Sequence, residues 1–458
     1  MQFFSILGFT LLLHLCQNSI QNVVNFSPRQ NRSDYSGYLL YRFKVDPTSD
    51  TVEKLEKYDI VFDEKSNSAR LLIDIWAEPS KFNPFCDVLV APEYAFKFRG
   101  YLTDLERDSL KIMEDNIQGQ IDREHRSLLR NSLRRRKRGL RSWQDFDTNQ
   151  YHSYDSMVEF MRLLSSQKPE MVNMINVAKS FEQRDIYAIK IHPPNITSPT
   201  RPAIIVDAGV HAREWIAPGV ALYLIKRLVQ GYGSNDRITR SLDKFDWFIV
   251  PQVNPDGYEY SRTTDRLWRK TRSKNVTVNK WCMGADANRN WGYRWGEVGA
   301  NRTPCSNIYM GSHPYSEAEI QGLKDFFTWQ IANPMIYISL HSYGQLLLSP
   351  WGYTEEKPTN YIDQSAAALE AIQAIKNTTG VEYTAGTISE LMYPASGTSI
   401  DYMQNLGVPY IYGVELRPTD NPTSFAFNLP PSFIRGTGEE MLAAVSAVGE
   451  HAVKVKRL

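Results

Sequence analysis

The chain has 458 residues, with Lys plus Arg 52 against Asp plus Glu 51, 8 histidines and 4 cysteines. Such a length exceeds one ordinary domain of about 100–200 residues, so two or more structural units are expected. The balanced charge removes the usual electrostatic case for nucleic acid or an anionic membrane surface as partner.

Residues 3–15 are almost all apolar and give way to Gln17 and Asn18. This predicts a secretory signal over residues 1–20, too short to span a bilayer, and hence a secreted, extracellular product. Asn-x-Ser/Thr acceptors at Asn25, Asn31, Asn195, Asn275, Asn301 and Asn377 agree with export. Once Cys16 leaves with the signal, Cys282 and Cys305 lie close enough in sequence to close a modest loop, and Cys86 is left over.

Segments 38–45 and 70–77 alternate as strands, and Leu110, Met113, Ile117 and Ile121 follow one face of a helix, which predicts a small α+β unit. It holds no recurring constellation of His, Cys or carboxylates, so residues 21–138 read as a propeptide that assists folding or inhibits. Every residue of 134–138 is basic; like charges repel, so the run reads as a solvated linker, with a charged helix end as the alternative, and as open to a basic-residue or trypsin-like protease cutting after Arg138.

Residues 139–458 read as the catalytic domain. Buried-strand signals at 203–208, 247–252, 335–340 and 410–414 are separated by helical patterns at 217–228, 317–331 and 365–377, with a closing helix at 438–455. That alternation predicts an α/β/α sandwich.

The first of these strands runs into Gly209-Val210-His211-Ala212-Arg213-Glu214-Trp215, so His211 and Glu214 leave a strand end three residues apart and can reach one metal. The third runs into His341-Ser342-Tyr343, another histidine at a carboxyl end, where open α/β sheets gather their ligand sites. Two imidazoles and a carboxylate leave a fourth tetrahedral position for water, the coordination of a catalytic zinc site. The fourth strand ends in Val414-Glu415-Leu416-Arg417. A carboxylate there either pairs with Arg417 or serves catalysis.

With Asn254-Pro255-Asp256-Gly257-Tyr258, Arg266-Leu267-Trp268-Arg269-Lys270 and Asp286-Ala287-Asn288-Arg289-Asn290-Trp291 in order between them, these motifs resemble the zinc carboxypeptidases of the pancreatic carboxypeptidase A and B family. The resemblance covers residues 145–452 closely and the propeptide region more loosely. It departs at Thr398, where a glycine is usual, at Pro394, and around 420–424. It implies a mixed sheet, a ferredoxin-like propeptide over the cleft, a monomer, and one Zn2+ per chain held by His211, Glu214 and His341. Glu415 takes the position of the general base and acid, Arg269 faces the tetrahedral oxyanion, and Asp286 orients the first zinc histidine. Asn288, Arg289 and Tyr393 match the residues that hold a terminal carboxylate; Arg213, Ser342 and Tyr343 match neighbouring substrate positions.

The expected substrates are peptides with a free C-terminus. Ile400 aligns with the base of the side-chain pocket and implies aromatic or aliphatic terminal residues, and Leu348, Ile388, Ala395 and Gly413 fall near it. Asp401 is expected to face away, as neighbours do on an extended segment. A binding-only homologue and a zinc hydrolase of non-peptide amides are the rival readings. Asn288, Arg289 and Tyr393 argue against the latter, because they make sense around a terminal carboxylate.

Overall fold

The computed structural model describes residues 32–457 except 58–59, 64–67, 195, 197, 199, 275–280 and 420–425. The expected signal, the acceptors Asn25, Asn31, Asn195 and Asn275, and the departure around 420–424 lie outside the described residues. In the N-terminal unit, strands form at Leu39–Lys44 (β1), Ile60–Asp63 (β2), Ser68–Leu71 (β3), Ile73–Ala77 (β4), Phe85–Val90 (β5) and Lys111–Glu114 (β6). β2 and β3 make a separate hairpin, while the others form an antiparallel sheet in the order β4-β5-β1-β6. Helices Thr51–Lys57 and Ala95–Tyr101 lie on its first and third connections, the ferredoxin-like arrangement expected. Phe43, Val88 and Phe98 fill its core, and Cys86 is buried among them, its thiol pushed up by burial.

Three local expectations change here. Segment 70–77 is broken at Leu72 between two strands, because β3 pairs with β2 whereas β4 pairs with β5. Leu110 and Met113 do not share a helix with Ile117: β6 intervenes, and the helix spans Ile117–Arg138. That helix carries the basic run to its last turn, so 134–138 is helical rather than an open linker. Arg and Lys are good helix formers, and cations favour a helix C-terminus. Gly139, at φ +65°, takes the left-handed conformation just after it.

The C-terminal unit is built on an eight-stranded mixed sheet, from Val172–Lys179 (β7), Asp185–Ile191 (β8), Ala203–Ala208 (β9), Asp246–Val250 (β10), Pro334–Ser342 (β11), Leu346–Ser349 (β12), Thr384–Thr387 (β13) and Tyr410–Leu416 (β14). The order is β13-β12-β14-β11-β9-β10-β8-β7, with β10, β9, β11 and β14 parallel at the centre. Both faces of the central strands are covered, which explains their unbroken apolar runs. On β9, Ile204, Val206 and Ala208 pack beneath helices Ile216–Gly231 and Ile434–Lys456. Ala203 and Ile205 point to the opposite core, shared with Phe326 of helix Ala318–Trp329 and Met403 of helix Ser399–Asn405. The four expected strands and the expected helices are all present, most of them a few residues longer than the sequence signal.

Candidate active site

The carboxyl ends of β9, β11 and β14 stand side by side, and their register fixes what meets there. His341 lies directly opposite Glu415. After β9 the chain turns at Gly209, at φ +71°; a Cβ there would come within 1.6 Å of Gln252 Oε1, so only glycine fits. Asn254 Nδ2 holds the turn by donating to Val210 and Lys270 carbonyls at 3.3 and 3.0 Å, and Ala212 N donates to Arg269 O at 2.9 Å. This sets His211 and Glu214 under the end of β11.

Ligand atoms of His211, Glu214 and His341 lie within 4.8 Å of one another, and all three side chains are buried. Glu214 Oε1 is 2.7 Å from His211 Nδ1, and its Oε2 is 3.2 Å from His341 Nδ1. Each imidazole turns its other nitrogen outward to a partner: His211 Nε2 to Asp286 Oδ1 and His341 Nε2 to Ser339 Oγ, both at 3.1 Å. Two Nδ1 atoms and a carboxylate aimed at one point, with both Nε2 atoms engaged elsewhere, suit a single zinc ion. Against a large burial penalty, the two imidazoles hold Glu214 well below the usual carboxylate range.

Asp286 joins this cluster to Arg269, which donates to its Oδ2 from Nη2 at 2.9 Å and Nε at 3.2 Å. Despite burial, Arg269 and His211 keep Asp286 ionised. Burial pushes the Glu415 carboxyl up, with His341 opposing and Glu214 adding to the rise. Arg417 pairs with Glu440. The structural alternative for Glu415, a pairing with Arg417, is therefore not what the fold uses.

Arg289 Nη2 lies 3.3 Å from the Tyr393 hydroxyl, and its Nε donates to Gly299 O at 2.6 Å. Asn288 Oδ1 accepts from Ser399 N at 3.0 Å, which ties this group to helix Ser399–Asn405. Ser342 N donates to Glu214 Oε2 at 3.3 Å, and the Tyr343 ring packs 5.1 Å from that of Phe427. The segment holding Ile400 is helical, not extended. Thr398 caps it by accepting from Asp401 N, and Asp401 accepts from Gly352 N and Tyr353 N at 2.8 and 3.0 Å. Asp401 is thus committed to backbone, though for a different reason than alternation. Ile400, Leu348 and Gly413 converge: a Cβ on Gly413 would stand 3.6 Å from Ile400 Cγ1 and 3.8 Å from Leu348 Cβ. Cys282 and Cys305 are bonded, with Cα atoms 4.7 Å apart.

The N-terminal unit enters the same cleft, which the sequence did not reveal in residue terms. Asp74 on β4 accepts from Arg213 Nη1 at 2.5 Å and from Asn307 Nδ2 at 2.7 Å, and the Trp76 ring stands 5.0 Å from Phe427. Arg213 is 2% exposed and lies 4.2 Å over the Phe427 ring. Burial pushes Glu78 up to about 7, with Glu56 adding to the rise and Arg289 and Arg269 pulling it down. Asp74 alternates with Ile73 and Ile75, which turn to the unit's own core, so in the sequence it looks like an ordinary outward polar residue of a strand.

Three buried groups that could hold a metal ion at the carboxyl ends of parallel strands, with a further carboxylate beside them, are what a metal-dependent hydrolase requires. The family description "Zinc carboxypeptidase" matches residues 157–444. Carboxypeptidase A4 of Mus musculus is 34% identical over 420 residues, covering 92% of this chain and 94% of that one. Carboxypeptidase B of Astacus astacus is 38% identical over 303 residues, covering 66% and 97%. Among solved structures, the carboxypeptidase A from Helicoverpa armigera superposes with a TM-score of 0.80 at 25% identity, over 93% of this chain and 100% of that one. The chain belongs to the zinc carboxypeptidase family, and is a zinc-dependent peptidase built on that family's α/β fold.

Proposed function

We propose that the protein is a secreted carboxypeptidase zymogen that, once cut near Arg138, removes aromatic or aliphatic residues from peptide C-termini. His211, Glu214 and His341 would hold the zinc, which when bound supplies a Lewis acid and lowers the pKa of water toward about 7. The other roles belong to the chain. Glu415 takes a proton from the attacking water and returns it to the leaving amine. Arg269, anchored by Asp286, meets the charge that develops on the carbonyl oxygen with a fixed, weakly hydrated guanidinium. Asn288, Arg289 and Tyr393 hold the terminal carboxylate, and the planar fork of Arg289 supplies paired donors.

The observation that carries this reading is the meeting, at the carboxyl ends of the central strands, of the three ligand groups with Glu415 and Arg269. Terminal-residue preference rests on the apolar convergence of Ile400, Leu348 and Gly413. A buried Lys or Arg would lose hydration there, and the neighbouring carboxylate, Asp401, is already engaged by Gly352 N and Tyr353 N. Zymogen status rests on the N-terminal unit's hold on Arg213 and its approach to Arg289 and Arg269.

The test is a panel of peptides differing only in the last residue, given to the cut protein, with C-terminally amidated copies as controls. Phe and Leu termini should be released and the amidated copies spared. Equal cleavage of amidated peptides would contradict the exopeptidase assignment, and a clear preference for Lys or Arg would contradict the pocket assignment.

A further inference from the structure

Asp207 is a carboxylate next to the carboxyl end of β9, in a run with Ile204, Ile205, Val206 and Ala208, and it is 1% exposed. Burying such a group is costly unless it is satisfied, and here it is satisfied by two neutral hydroxyls. The Tyr337 hydroxyl donates to Oδ2, and Ser339 Oγ donates to Oδ1 at 2.7 Å. The arrangement follows from sheet register. Ser339 stands opposite Asp207, and the two-residue period places Tyr337, Ser339 and His341 on one face of β11.

A serine hydroxyl has one proton and two lone pairs. With its proton given to Asp207, Ser339 Oγ can offer His341 only a lone pair across their 3.1 Å contact. His341 Nε2 must then be the protonated nitrogen. In the neutral ring Nδ1 is then left with a lone pair on the side of Glu214 and His211 Nδ1, each 3.2 Å away. Asp286 does the same for His211 directly, by accepting from Nε2 at 3.1 Å.

We infer that Asp207, acting through Ser339, is a positioning residue that fixes the tautomer and ring plane of His341, and with Asp286 completes a pair of buried carboxylates each governing one imidazole. This rests on the reading of His211, Glu214 and His341 as the zinc ligands. Tyr337 is the third member, holding the second Asp207 oxygen so that the first stays aimed at Ser339.

The experiment uses the full-length, zinc-loaded protein in four forms: unaltered, Asp207→Asn, Ser339→Ala and Ser339→Thr. Zinc release to a chelator and equilibrium zinc affinity are measured, and ring-nitrogen NMR shifts report the His341 tautomer in the metal-free forms. Asp207→Asn and Ser339→Ala should lose about 10–100-fold in zinc affinity. Their metal-free His341 should show both neutral tautomers, whereas the unaltered protein shows Nε2–H. Ser339→Thr, which keeps the hydroxyl, should retain affinity and tautomer. Folded Asp207→Asn and Ser339→Ala proteins with unchanged zinc affinity and tautomer would overturn the relay, as would a loss of thermal stability alone. If Asp207→Asn does not fold, the contrast between Ser339→Ala and Ser339→Thr decides. Failure of the unaltered protein to bind one zinc would overturn the ligand assignment instead.

Discussion

In the proposed function, Ile400 is the single side chain that sets which terminal residue is accepted. Replacing it by aspartate would put a carboxylate against Leu348 and Gly413 in an otherwise apolar hollow. An apolar terminus gains about 1.5–3 kcal/mol on burial there, so Ile400→Asp should cut kcat/KM for Phe and Leu termini by about 10–100-fold and raise it for Lys and Arg. An unchanged ranking of the four termini would place the pocket elsewhere. The chemistry-bearing residues at this scale were legible because each is a polar residue ending an apolar strand run: His211, His341 and Glu415 stand out against what precedes them. Asp207 was not read, because it sits inside such a run, where a lone carboxylate is easily absorbed into the strand signal. Ile400 and Asp401 were read as neighbours on an extended segment, since a seven-residue helix is too short to show its period.

At the scale of elements, the turn after β9 does what no side chain can. Gly209→Ala would force a Cβ onto Gln252 and strain a left-handed backbone, so a loss of more than about 1 kcal/mol of stability is expected, with zinc affinity falling because His211 moves. A melting curve and a zinc titration check this; a variant matching the unaltered protein in both would show that the turn does not position the ligand. The four central strands, β9, β10, β11 and β14, were legible because both their faces are buried and their apolar runs are unbroken, whereas the short strands β12 and β13 gave no such signal. The antiparallel pair β7 and β8 was missed, because partly exposed strands such as Val172–Lys179 lack that signal. The basic run looks like a linker when charge repulsion is given more weight than the alternative of a charged helix end, and the structure shows the helix end. Its helical state keeps the cleavage prediction but sharpens it. A protease must act where the helix ends, so N-terminal sequencing of the active form should begin at or near Gly139, and a start well before Arg134 would rule the boundary out.

At the scale of the whole molecule, the proposed zymogen rests on the contacts between the N-terminal unit and the cleft. Asp74→Ala would leave the Arg213 guanidinium buried without its partner, a cost of about 3–5 kcal/mol, so the uncut variant should show activity on small peptides that the uncut parent lacks. Equal inactivity would mean that Asp74 does not hold the unit down. Two titratable groups also lie in the interface. His125 lines a cavity with Glu124, Trp215, Arg262 and Arg266, and burial with Arg32, Arg262 and Arg126 lowers it to about 4, Asp122 opposing. Released, it would return toward 6.5, so its share of docking weakens as pH falls from about 6.5 to 4. Glu78 works the other way. Raised to about 7 when docked and about 4.5 when free, it weakens docking as pH rises through that window. The two contributions oppose each other, so affinity of the cut N-terminal unit for the enzyme should change little between pH 4.5 and 6.5. Glu78→Gln should bind less tightly as pH falls, and His125→Gln more tightly; a single-variant profile as flat as the parent's would remove that group from the balance. None of this was legible in the sequence, because pairs such as Asp74 with Arg213 and Glu124 with Arg266 lie more than a hundred positions apart and no local pattern marks them.

The most direct test of the account is Glu415→Gln in the cut enzyme, with zinc content and peptide hydrolysis measured on the same preparation. The carboxylate faces His341 across the sheet but is not among the three ligand groups, so the variant should keep one zinc per chain while turnover falls by at least about a thousandfold. Hydrolysis at the parent's rate with zinc bound, or loss of zinc together with activity, would contradict the role assigned to Glu415.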